Sequence, residues 1–485
     1  MKKRLSALTL ALILAASAFS CGESAKDPGN SDTLTTEPEV TTEESLFKLP
    51  KEDNGDREFT ILMPTAIGYE FPDESNGELV NDALFNRDQM VEEHFGIKFN
   101  YRRESGGWDE REIYNNLITN TVMAGDSSYD LVTGLVAVTM PAVMNGIFAD
   151  LNSQTDIDLS NPWWLSGLSK DLSINKKLYC AVGDANLSLY KTAVITYFNK
   201  SVVEQYNLED PYELVRQGKW TMDKMIEMSE AVTDDLNGDS KIDMENDRIG
   251  CYLQDVPLRL AGTALDAHVF SIDKDGKVFR DKNSLERLVS AYERTKLFFS
   301  TDYLVDETKA VDFTAFAKTL VEDRALFYIS YLYVTEGEIM RNMKSDFGII
   351  PYPKLDENQE NHITPIGTAT GIMFIPKTAS DIGLTCRVME ALGYYSMKDV
   401  VPAYYEVALR DKYTRDEEVP EMLEMIRAAM RLPFDSCYGT TINITTGAAS
   451  PANILAYENI EMASFYESKS NAWDAAAEKL NSFEG

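Results

Sequence analysis

The strongest constraint on this chain is an alternation of strand-like and helix-like segments between residues 59 and 134. Phe59 to Met63 (FTILM) is a continuous apolar run stopped by Pro64, the pattern of a buried strand. Val80, Ala83, Leu84, Met90, Val91 and Phe95 recur at helical spacing, and Gly96 closes that segment. Ile97 to Tyr101 alternates as a strand does. Asp109 to Ala124 reads as a second amphipathic helix, with acids in its first turn and Gly125 after its end. Tyr129 to Gly134 (YDLVTG) is again a short buried strand, entering a glycine-marked loop. The order β-α-β-α-β predicts a parallel sheet with right-handed crossovers. Such sheets bind ligands at the carboxyl ends of their strands, here near Thr65 to Tyr69 and Thr133 to Val136.

The first residues are an address rather than structure. Lys2, Lys3 and Arg4 precede an apolar stretch from Leu5 to Phe19, so residues 1–20 read as a secretory signal peptide. The sequence then runs Ala18-Phe19-Ser20-Cys21-Gly22, which resembles a bacterial lipoprotein lipobox, with Phe19 where a small residue is usual. The resemblance implies cleavage before Cys21 and lipidation of its thiol; ordinary cleavage releasing a free protein is the alternative. Gly22 to Leu46 is rich in Ser, Thr, Glu, Asp and Gly and nearly free of apolar side chains, so residues 21–55 are expected to form a lipidated cysteine and disordered tether. No other apolar run approaches the ~20 residues of a transmembrane helix. The expected location is the cell surface, anchored through Cys21.

Charge narrows the partners. The 485 residues carry 79 acidic against 46 basic side chains, a formal charge of −33. A surface so negative repels phosphate backbones, which argues against nucleic acid. The three histidines stand in unlike contexts, so no His-rich catalytic metal site can be built. Cys180, Cys251, Cys386 and Cys437 show no metal spacing, and either disulfides or buried thiols fit them. No HExxH, GxSxG, Walker A or GxGxxG motif occurs.

Several further segments together resemble the bacterial extracellular solute-binding proteins that deliver sugars to ABC importers. They are ELVNDALFNRDQMVEEHFGIKF (78–99), YDLVTG (129–134), GIFADL (146–151), KLYCAVGDANLSLYKTAVITYFNK (177–200) and GKWTMDKMIEMSEAVT (218–233). RALFYIS (324–330), FGIIPYPKL (347–355) and GIMFIPK (371–377) follow in the same order. The resemblance implies a two-lobed α/β fold of the periplasmic-binding-protein type II kind, with mixed sheets flanked by helices and a hinge between lobes. The first crossing is expected between Tyr179 and Ile195, a return near Arg324, and another crossing around Thr368 to Gly371. Lobe 1 is then residues 56–188 plus 322–370, and lobe 2 residues 189–321 plus 371–485. Beyond Pro376 the chain is mostly helical by period, most clearly from Pro420 to Met430. The expected function is capture of a mono- or oligosaccharide by a monomeric receptor serving ABC permease subunits, without catalysis. A glycan-degrading lipoprotein and a transporter-independent glycan-binding adhesin or signalling module are the alternatives.

Sugar rings stack on aromatic faces while polar groups take their hydroxyls. The resemblance places an aromatic after the strand Leu326 to Ser330, which selects Tyr331 and Tyr333. Trp163 and Trp164 follow Pro162 and are further candidates, as is Tyr69 at the first strand's end. Asp184 and Asn186 stand at the first crossing, suited to accepting hydroxyl protons. Trp220 at a helix start reads as packing, with Thr221 as N-cap. Finally, Asp235, Asn237, Asp239, Lys241 and Asp243 match positions 1, 3, 5, 7 and 9 of an EF-hand or dockerin-type loop, Lys241 through its carbonyl. Ser240 replaces the usual glycine, and Asn246 stands at position 12 with Asp247 one residue later. A structural Ca²⁺ is expected there; a solvated acidic turn is the alternative.

Overall fold

The computed structural model describes residues 47–253, 260–306, 318–409, 416–432, 434–439 and 461–485. The strands run in chain order β1 (Arg57–Pro64), β2 (Ile97–Glu104), β3 (Leu131–Leu135), β4 (Val194–Asn199), β5 (Ile249–Leu253), β6 (Phe270–Ile272) and β7 (Val278–Arg280). They continue with β8 (Leu304–Asp306), β9 (Ala325–Tyr331), β10 (Phe347–Pro351), β11 (Thr364–Pro365), β12 (Gly371–Phe374) and β13 (Met430–Arg431).

The first sheet has the order β12-β3-β1-β2. β1 pairs in parallel with β2 along its whole length, Arg57 opposite Ile97 and Pro64 opposite Glu104, and in parallel with β3. Helices Leu79–Phe95 and Arg111–Met123 supply the crossovers. The first ends where Gly96 takes φ 59°, a left-handed conformation that costs glycine little. Phe59, Ile61, Leu62 and Met63 are fully buried, as a strand covered on both faces requires.

The second sheet has the order β10-β4-β9-β5-β8. β4 runs antiparallel to both neighbours, with Val194 opposite Tyr331 and Phe347 opposite Asn199, while β5 is parallel to β9 and to β8. All six residues of β4 are buried. Leu49–Gly485 forms one unit containing both sheets.

Sheet membership corrects the expected division at two places. Residues 322–370 do not return to lobe 1, because β9 lies in the middle of the second sheet between β4 and β5, and β10 forms its edge. Nor does everything after residue 371 belong to lobe 2: β12 pairs antiparallel with β3, Gly371 opposite Leu135, and helix Ile382–Tyr395 packs on helix Leu79–Phe95. Both β9 and β12 are largely apolar, which marks them as buried strands without saying which sheet takes them. Helix Val419–Ala428 then packs on β10, so the C-terminal segment serves both lobes. Among the described residues no helix is long and apolar enough to cross a membrane.

Candidate ligand cleft

The two sheets present their carboxyl edges to the segments that join them. In the first sheet this edge gathers the turn Thr65–Glu70 after β1, the loop after β2, the residues after β3 and the start of β12. In the second sheet it gathers the start of β4 and the turn Leu332–Glu336 after β9. The first crossing runs through helix Leu187–Lys191 into β4. The second precedes β12 and lies beside the first: Gly367 N donates to Thr192 O at 3.0 Å, and Ala193 bridges Ile366.

Tyr331 and Tyr333 stand at this junction. Their rings stack with centroids 5.6 Å apart and planes 22° apart. Tyr331 is half-buried against Gly367, where a Cβ would come within 2.8 Å of the tyrosine ring, so the absence of a side chain lets the ring pack this closely. Tyr333 is 42% exposed. Tyr69 is exposed as well, at 43%, with Lys191 Nζ 5.4 Å from its ring centre. Lys191 pairs with Glu336 at 2.6 Å, and Glu336 also accepts from Tyr404 OH at 2.9 Å. Thus a chain of contacts links the turn after β1, the first crossing and the turn after β9.

Sequence reasoning missed Trp108, which is 55% exposed in the loop after β2 with Arg111 stacked over it at 4.6 Å. The signal was present in Gly106-Gly107-Trp108 just beyond a predicted strand end. Of the four exposed aromatic residues among those described, Tyr69, Trp108 and Tyr333 sit at these carboxyl edges and Phe279 does not.

Four candidates from the sequence are placed elsewhere. Trp163 (1% exposed) and Trp164 (5%) are core residues, each donating its indole N–H to Glu390, at 2.7 and 3.1 Å. Helix Ile382–Tyr395 covers them, and Tyr394 meets Trp163 edge-on at 5.6 Å. Asp184 is buried and accepts from Arg427 Nη2 at 2.6 Å and from Tyr190 OH. Asn186 is fully buried beneath the first crossing, its Oδ1 accepting from Gly183 N at 3.3 Å. The turn 183–186 leads directly into helix Leu187–Lys191, and both side chains are buried there.

In the acidic loop four side chains each accept at least one hydrogen bond from the loop's own backbone. Asp235 accepts from Gly238 N and Ser240 N, Asn237 from Asp239 N, Asp239 from Lys241 N, and Asp243 from Glu245 N and Asn246 N. Asp247, fully buried, staples the loop by accepting from Leu236 N and Asp243 N. Ser240 takes φ 66°, the left-handed conformation for which such loops use glycine. Among the described residues no three or more His, Cys, Asp or Glu side chains converge as a metal-holding group. Cys180, Cys251, Cys386 and Cys437 are buried free thiols, and burial pushes Cys180 up to about 12. Cys21 lies outside the described residues.

No family model matches the sequence, and no curated protein matches it. Solved structures do. The galacto-N-biose-/lacto-N-biose I-binding protein of the ABC transporter from Bifidobacterium longum aligns over 87% of this chain and 99% of its own, with TM-score 0.53 at 14% identity. The fold is that of the two-lobed periplasmic solute-binding proteins. A cyclo/maltodextrin-binding protein complexed with maltotetraose aligns with TM-score 0.52 at 14% identity, covering 87% of this chain and 96% of that one. The GacH receptor of Streptomyces glaucescens, described with acarbose, gives 0.50 at 13% identity over 88% and 100%.

Proposed function

We propose that this protein is an extracellular receptor that captures a carbohydrate in the cleft between its lobes and releases it unchanged to an ABC permease. The observation that carries this reading is the stacked Tyr331–Tyr333 pair at the end of β9, beside the segments that join the sheets, with exposed Tyr69 and Trp108 on the carboxyl edge of the first sheet. Aromatic faces suit the C–H faces of a pyranose, and the part-exposed Lys191–Glu336 pair beside them suits its hydroxyls. The structural relatives named above, all described with saccharides or as saccharide-binding, support the same ligand class. Calorimetry against a panel of mono- and oligosaccharides tests it, with chromatography of the recovered ligand to separate binding from hydrolysis.

Two further parts of the reading concern the chain outside the cleft. Cys21 serves as a lipid anchor, tested by Cys21→Ser: the variant is expected in the medium, and unchanged membrane retention would remove the anchor. The loop from Asp235 to Asp247 takes a structural Ca²⁺ through Asp235, Asn237, Asp239, the Lys241 carbonyl and Asp243. The left-handed Ser240 supports that assignment.

A further inference from the structure

Beneath the cleft, where both crossings meet the first sheet, lies a carboxylate that no solute reaches. Glu70 ends the turn Thr65–Glu70, one residue beyond the exposed Tyr69, and is fully buried. Its Oε1 accepts twice from the first crossing, from Ser188 N at 2.7 Å and Ser188 Oγ at 2.6 Å. Ser188 Oγ in turn accepts from Gly371 N, 2.7 Å away, at the end of the second crossing. One carboxylate oxygen therefore fastens both joining segments to the turn that carries Tyr69.

The surroundings leave little slack. A Cβ on Gly371 would lie 2.8 Å from Glu70 Oε2 and 3.2 Å from Asn186 Nδ2, so a side chain there would force the three groups apart. Arg87, itself fully buried, donates to the Glu70 carbonyl oxygen at 2.7 Å and to the Ala185 carbonyl oxygen at 3.3 Å, pinning the backbone on both sides of the contact. Burial raises the Glu70 carboxyl above its ordinary range, so the group is held at a desolvation cost. A buried carboxylate with fixed donors is a stiff connector, since each bond it loses leaves an unsatisfied group in a dry site.

We propose that Glu70 is a positioning residue for solute capture: touching no ligand, it locks Ser188 and Gly371 to the Tyr69 turn and so sets the resting angle between the lobes. The apparent affinity of a two-state receptor scales with the fraction already competent to close. A residue that fixes the resting angle thus acts on affinity from a distance. The inference rests on the cleft being the solute site, yet its test needs no solute.

The test is hydrogen exchange of the ligand-free full chain, read on peptides covering 186–192 and 367–374, together with small-angle scattering. Glu70→Ala should speed exchange in both segments by roughly ten-fold and change the scattering profile toward a broader spread of lobe separations. Glu70→Gln, whose Oε1 still accepts from Ser188, should restore both readouts. Ser188→Ala should free 367–374 while leaving 186–192 partly protected. Exchange in β1 and β4 should stay at the wild-type rate, which a general loss of stability would not allow. Wild-type protection of both segments in Glu70→Ala, or a uniform loss that includes β1 and β4, would overturn the proposal. If Glu70→Ala does not fold, wild-type protection of 367–374 in Ser188→Ala overturns it instead. Failure of every saccharide to bind would leave these readouts unchanged, so the two readings fail separately.

Discussion

Trp163 donates its indole N–H to Glu390 at 2.7 Å, and Trp164 donates to the other oxygen of the same carboxylate at 3.1 Å. Glu390 also accepts from Asn161 Nδ2 at 3.0 Å and Asp158 N at 2.6 Å, so one buried group organises the whole 158–164 loop. Removing it leaves two buried indole N–H groups unsatisfied. Glu390→Ala should cost about 2–4 kcal/mol of stability, read by thermal or denaturant unfolding. Saccharide affinity of the folded variant should stay within about two-fold of wild type. A selective loss of affinity at unchanged stability would return the tryptophans to the cleft.

Asp184 and Arg427 give a prediction in pH. Burial raises the Asp184 carboxyl to about 6, against the opposing pull of Arg427. An acid raised in the folded state holds a proton that the unfolded chain releases. Between pH 6 and the ordinary carboxylate range this group alone therefore makes the fold more stable as pH falls. The melting temperature of wild type relative to Asp184→Asn should rise from pH 7 to pH 4.5 and level off above pH 7. Arg427→Ala should cost about 2 kcal/mol at pH 7 and less at pH 5, where Asp184 is neutral. A pH-independent difference between wild type and Asp184→Asn would contradict the assignment.

How much of this was legible in the sequence follows from what each pattern encodes. The apolar runs at 59–63 and 129–134 and the helical spacing at 80–95 mark strands and a helix because period and end signals are local. The sheet that takes Ala325–Tyr331 or Gly371–Phe374 is not local: both are largely apolar, and only the pairing with β4 and β5 or with β3 decides. The tryptophans show the same limit. An aromatic beside a proline reads alike in a cleft or a core, and the deciding partner, Glu390, lies more than 220 residues away. Tyr69 was reachable, because the carboxyl end of a parallel strand is implied by strand order.

The acidic loop predicts a metal response. A ligand bound only by the folded state stabilises it by mass action, so calcium at a hundred-fold excess over its dissociation constant adds about 2.7 kcal/mol. EDTA should lower the melting temperature and added calcium restore it, and Asp235→Ala combined with Asp239→Ala should abolish the response. A flat response in the wild-type protein would reduce the loop to a turn stapled by Asp247.

Calorimetry of a saccharide panel against wild type, Tyr331→Ala and Tyr333→Ala decides whether the cleft captures a carbohydrate through its stacked tyrosines. At least one saccharide should bind without turnover, and each substitution should weaken it by at least ~10-fold, about 1.4 kcal/mol. The unliganded melting temperature of Tyr333→Ala should stay near wild type, since that ring is 42% exposed. Wild-type affinity in both variants would remove the stacked pair from the site, and no heat or retention with any saccharide would contradict carbohydrate capture itself.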